Sequence, residues 1–171
     1  MSGNKTAKLC TLALLLALEI ILTRFCSITT TFIRVGFGFL PISIVGILYG
    51  PLWAAATYAV GDLIGAILFP SGPFFPGFTL TAALTGLIFG LVLHKRKVTH
   101  TTCLIASLLV VTICDLLLNT LWLSMLYGDA FVALLPGRVV KCFLTVPVQT
   151  LLIPFSWNKI MKRIPLISKA G

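Results

Sequence analysis

Three of the four acidic residues, Glu19, Asp62 and Asp115, lie inside apolar runs. An ionisable side chain is costly there and by default marks a functional site. Asp115, Asn119 and Trp122 follow at spacings of four and three, so on a helix they share one face. A carboxylate, an amide and an indole presented together can hydrogen-bond and stack on a flat heterocycle. The same carboxylate and amide would serve equally as a clamp between helices. Asp62, in AVGDLIGAIL, can accept two hydrogen bonds from an amidine-like edge, or pair with Arg34 or Arg138. Phe74, Phe75 and Phe78 sit in PSGPFFPGF, whose prolines and glycines preclude a helix. Rings on such a stiffened loop can close over an aromatic ligand, or rest on lipid and neighbouring helices.

The elements that must carry these residues are membrane helices. Of 171 residues, 58% are hydrophobic and 10% charged, with a mean hydropathy of +1.10. Soluble domains carry about 25% charged residues, so a water-soluble fold is excluded. Each span needs roughly 20 apolar residues, and six spans leave no room for an appended soluble domain. The expectation is one all-α integral membrane domain over residues 1–171, a six-transmembrane-helix bundle. Its spans fall at about 8–26, 37–50, 52–69, 78–94, 101–127 and 138–160. The first run looks superficially like a signal peptide, but it carries Glu19 and Arg24 and no small-residue cleavage site follows, so it reads as a retained helix. Gly50-Pro51 makes a tight turn, and Pro147 and Pro154 should kink the last span.

Thirteen Lys and Arg stand against four acids, a net charge of +9. They sit at span ends, which points to orientation in a bilayer rather than to nucleic acid. Six spans put both termini on one side. That side holds Lys5, Lys8, Lys95, Arg96, Lys97, Lys159, Lys162, Arg163 and Lys169, nine cations against four on the other, so both termini are expected in the cytoplasm. The outer four, Arg24, Arg34, Arg138 and Lys141, are either snorkelling residues or an electropositive mouth that draws in an anionic solute. The outer segment CSITTTFIRVG, residues 26–36, is rich in β-branched residues and suggests a strand pair or ordered cap.

Small residues mark close approaches. Ala82, Gly86 and Gly90, and Gly61 with Gly65, read as internal packing seams. Glu19 projects about 140° from the face of Ala13 and Ala17. If Glu19 turns into the bundle, the alanine face turns outward, toward lipid or a membrane partner. The sequence has no G-x-x-x-x-G-K-[ST] loop, no His pair at metal spacing and no G-x-S-x-G elbow, and its five cysteines have no C-x-x-C spacing. No catalytic residue, metal site or cofactor is expected in this chain, so work against a gradient needs a partner or a coupling ion.

The stretch from Phe37 to Leu93, with GDLIG and PFFPGFTLTAALTG, and the stretch LLPGRVVK from Leu134 to Lys141 resemble the substrate-binding S components of energy-coupling factor vitamin transporters, most specifically the folate-specific ones. The resemblance covers nearly the whole chain. It implies six helices with both termini cytoplasmic, in a bacterial plasma membrane, and high-affinity capture of a vitamin from outside. It also implies association with a transmembrane coupling protein and two ATPases that use the ATP, and release as the S component topples. The family's A-x-x-x-A motif falls on Ala13 and Ala17, which would contact the coupling protein. A folate pterin would suit Phe74, Phe75 and Trp122, with Asp62 or Asn119 on its hydrogen-bonding edge, while its carboxylates would suit Arg34, Arg138 or Lys141. The alternatives are an S component for riboflavin, a thiamin precursor or pantothenate, or a membrane scaffold protein.

Overall fold

Residues 2–29, 34–70, 74–128 and 131–159 are described by the computed structural model, and within them the apolar runs are helical. The helices are α1 (Ser2–Arg24), α2 (Phe39–Tyr49), α3 (Pro51–Leu68), α4 (Pro76–Leu93), α5 (His100–Leu109), α6 (Asn119–Tyr127) and α7 (Phe131–Lys159). A π-helical stretch, Val110–Leu118, joins α5 to α6 without a break. Five stretches are long and apolar enough to cross a bilayer: Lys5–Arg24, Pro51–Leu68, Pro76–Leu93, His100–Leu126 and Gly137–Lys159. The helix α2 has only 11 residues, which cover about 16 Å at 1.5 Å per residue. It is buried almost all round, from Phe39 and Pro41 through Leu48.

Between α1 and α2 the chain forms a short antiparallel ribbon, β1 (Ile28–Thr29) against β2 (Arg34–Val35), with Ile28 opposite Val35 and Thr29 opposite Arg34. The β-branched residues of that segment favour this pairing; residues 30–33 between the strands lie outside the described part.

Two apolar clusters hold the helices together. Leu12 and Leu15 of α1 pack with Ile42, Ile44, Val45 and Leu48 of α2 and Ala54 of α3. Phe39 and Ile47 of α2 pack with Phe89, Leu93, Cys103, Ala106, Val110, Cys114 and Ile153. The small residues of α4 let backbones touch. A Cβ on Gly86 would meet the Ala54 carbonyl carbon at 2.6 Å, and one on Gly90 the Pro51 nitrogen at 2.6 Å. Gly50, at φ +91°, turns α2 into α3 in a conformation glycine adopts without strain. The His94 ring lies 3.5 Å from where its Cβ would be.

Four features depart from sequence expectation. The helix α4 begins at Pro76, inside the PSGPFFPGF segment expected to be free of helix, because proline fits a helix's first turn, where its missing N–H would have no partner anyway. Gly61 and Gly65 do not form a helix–helix seam; they open notches in α3 that receive the side chains of Glu19 and Arg24 from α1. The expected single α-helix from residue 101 to 127 contains the π-helical stretch. It begins at four consecutive β-branched residues, Val110 to Ile113, whose χ1 crowding suits a tight α turn least. The last helix starts at Phe131 rather than Arg138.

Candidate ligand-binding site

The polar residues gather in two clusters. In the first, Lys141 of α7 places Nζ 2.6 Å from Asp115 Oδ1. Asn119 Nδ2 donates to the same oxygen at 3.2 Å, as its position one turn along the helix allows. Arg138, buried to 5% exposure, donates from Nη1 to the backbone oxygen of Asp115 at 3.0 Å. The π stretch makes this last bond possible. The Asn119 N–H bonds Cys114 O instead of Asp115 O, which releases the Asp115 carbonyl from its α-helical donor. A carbonyl released inside an apolar bundle needs another partner, and the guanidinium supplies it. Among the described residues, two cations therefore stand against one acid here, Lys141 on its carboxylate and Arg138 on its backbone carbonyl, an excess of positive charge.

Beside it stands an aromatic wall. The rings of Phe75 and Trp122 lie 5.5 Å apart at 42°, and Phe75 meets Phe78 edge-on at 6.1 Å. The indole N–H of Trp122 donates to Thr81 Oγ1 at 3.0 Å, and that hydroxyl in turn donates to Gly77 O at 3.0 Å. Gly77 is a requirement of this packing. A Cβ there would lie 2.7 Å from both Phe75 Cε1 and Trp122 Cε2. Replacing Trp122 by Phe keeps an aromatic ring but loses the half-buried hydrogen bond that holds the indole in place, so ligand affinity should fall about fivefold, from roughly 1 kcal/mol. Replacing it by Ala also loses the stacking surface, worth about 1–3 kcal/mol for an aromatic base. Titration of both variants by calorimetry checks the order.

The second cluster joins α1, α3 and α4. Asp62 faces Arg24, with Nη2 3.6 Å from Oδ1, and its Oδ2 accepts from Thr79 Oγ1 at 2.8 Å. This corrects the expected pairing of Asp62 with Arg138, since α1 rather than α7 packs against that face of α3. It also changes the picture of an outer rim of cations. Arg24, Arg138 and Lys141 all turn inward to acceptors, because a charge in an apolar bundle is retained only when paired.

Among the remaining candidate residues, Phe74 is exposed at 52%. Arg34 lies in β2 by its backbone, and its side chain lies outside the described part, as do residues 71–73 of the α3–α4 loop. Ala13 and Ala17 are exposed, while Glu19 is 1% exposed and accepts from Thr23 Oγ1 at 2.7 Å. Sequence reading did not single out Thr79, Thr81 or Gly77. All three lie within PFFPGFTLTAALTG, which carries the family resemblance, and Thr81 recurs as Thr85 one turn along the same face of α4.

Several bilayer-length apolar helices packed around paired charges and stacked rings define a multi-pass membrane protein. The family described as ECF transporter, substrate-specific component, matches residues 7–156, and this chain belongs to it. The folate transporter FolT of Clostridium novyi (strain NT) is 37% identical over 160 residues, spanning 94% of this chain and 92% of that relative. The folate transporter FolT of Leuconostoc mesenteroides subsp. mesenteroides is also 37% identical, over 81% of this chain and 77% of its own length. A crystal structure of FolT bound with folic acid superposes with a TM-score of 0.85 at 35% identity, covering 91% of this chain and 95% of that one.

Proposed function

We propose that this protein is the folate-binding S component of an energy-coupling factor importer. It captures folate from outside the cell and delivers it inward together with a transmembrane coupling protein and two ATPases. The observation that carries the reading is the likeness, over 91% of the chain, to FolT bound with folic acid. The chemistry of the site supports it. Phe75 and Trp122 offer faces for a pterin, the Asp115–Asn119 pair offers an acceptor and an amide for its edge, and Arg138 and Lys141 supply positive charge for a carboxylate-bearing ligand. Asp115 thus joins Arg34, Phe74, Phe75, Asn119, Trp122, Arg138 and Lys141 as a proposed contact, while Asp62 is engaged by Arg24 and Thr79.

In this reading α2 completes a six-span bundle in a bacterial plasma membrane. Both termini are cytoplasmic on the nine-to-four distribution of cations, with Lys8 lying over the Trp53 ring at 3.9 Å near the inner turn. The chain binds no cofactor, and ATP is used by its partners. Mass spectrometry of small molecules released from the purified, denatured protein tests the function. Folate or a reduced folate is expected, with saturable binding that riboflavin, thiamin precursors and pantothenate do not compete. Recovery of one of those compounds instead, or of no ligand together with no saturable folate binding, refutes it.

A further inference from the structure

We propose that Arg24 and Asp62 are positioning residues whose ion pair clamps both stems of the α3–α4 connection and so holds Phe75 against Trp122 for a flat ligand. The inference rests on the folate reading of the site. Arg24 Nη1 donates to the carbonyl of Phe69 at 3.3 Å, the residue that ends α3, and Nη2 donates to Asp62 O at 3.4 Å. The same guanidinium faces the Asp62 carboxylate at 3.6 Å, and the other oxygen of that carboxylate accepts from Thr79 in the first turn of α4 at 2.8 Å. One ion pair therefore grips the connection where it leaves α3 and again where it enters α4.

The two grips need the glycine at 65. A Cβ there would lie 2.6 Å from Arg24 Nε, so any larger residue would push the guanidinium off α3. An edge contact of Phe25 with Phe69, with centroids 5.2 Å apart, packs beside the first grip. Phe75 and Phe78 lie between the grips. Thr81, which holds the Trp122 indole, lies two residues past the second. With side-chain exposures of 9% and 22%, the pair sits where removing one charge strands the other. Its effect on binding is preorganisation: the aromatic wall stands in place before the ligand arrives, and ordering it is not charged to the binding step.

The test uses the full-length protein in a Trp53→Phe/Trp157→Phe background, so that Trp122 reports alone. Arg24→Gln, Asp62→Asn and the double variant are titrated with folic acid and with pteroic acid, which lacks the glutamate. Each single variant is expected to weaken both ligands by the same factor, about tenfold or more, and to shift ligand-free Trp122 emission to the red. The double variant replaces the ion pair by a neutral amide pair, and should recover to within about threefold of the background protein. Loss confined to folic acid would mean that Arg24 touches the ligand's carboxylates and would overturn the clamp, as would unchanged Trp122 emission. If the background protein binds neither compound, the folate reading fails. The ligand-free emission of the three variants then supports or overturns the clamp by itself.

Discussion

Lys141→Ala is expected to lower folate affinity by about a hundredfold, the equivalent of roughly 3 kcal/mol, at the lower end of what stranding one partner of a buried ion pair costs. Lys141 Nζ stands 2.6 Å from Asp115 Oδ1, and the two side chains are only 12% and 18% exposed. Solvent screening therefore discounts little of the pair. With the ammonium gone, Asn119 at 3.2 Å is the remaining side-chain donor to that oxygen among the described residues. The carboxylate must then take a proton or swing toward water, and either change removes the acceptor proposed to meet the heterocycle. Lys141→Arg keeps the charge and should retain most of the affinity, while Lys141→Ala/Asp115→Ala should regain thermal stability without regaining binding. Calorimetric titration and melting temperature of the three proteins in detergent separate the two quantities. Folate binding by Lys141→Ala within threefold of wild type would remove this ion pair from the site.

Ala13→Trp or Ala17→Trp is expected to abolish uptake into cells while leaving folate binding by the purified protein unchanged. Ala13 and Ala17 are exposed on α1, on the side away from Glu19, which is 1% exposed and held against α3 at Gly61. Leu9 at 60%, Leu14 at 70% and Ile21 at 48% exposure extend that apolar face. A helix docking on a small-residue face needs backbone-to-backbone approach, which an indole prevents. The polar clusters, on the other hand, draw only Arg24 from α1, two turns beyond Ala17, and otherwise stand on α3, α4, the π stretch, α6 and α7. Transport of labelled folate in cells, set beside titration of the purified variants, provides both readings. Loss of binding would mean that the alanines pack internally, and normal uptake would mean that another face meets the coupling protein.

The parts of the site that were legible in the sequence are those governed by one helix or one short segment at a time. Asp115 and Asn119 meet because they stand four apart, and Ala13 and Glu19 face oppositely because a helix turns about 100° per residue. The ribbon before α2 was legible in its β-branched residues, and the apolar spans followed from composition alone. None of these needs knowledge of a neighbour.

What the tertiary structure decided is which helix each polar group found. Asp62 pairs with Arg24, 38 residues earlier, and not with Arg138. Trp122 donates to Thr81, 41 residues away. Gly61 and Gly65 admit side chains rather than a helix, and Arg138 takes a carbonyl that the π stretch released. Hydropathy and spacing describe a helix's own faces. In an apolar bundle, however, every charge and released carbonyl must find its partner on whichever helix packing brings beside it, and that adjacency is written in the shapes of all the helices together.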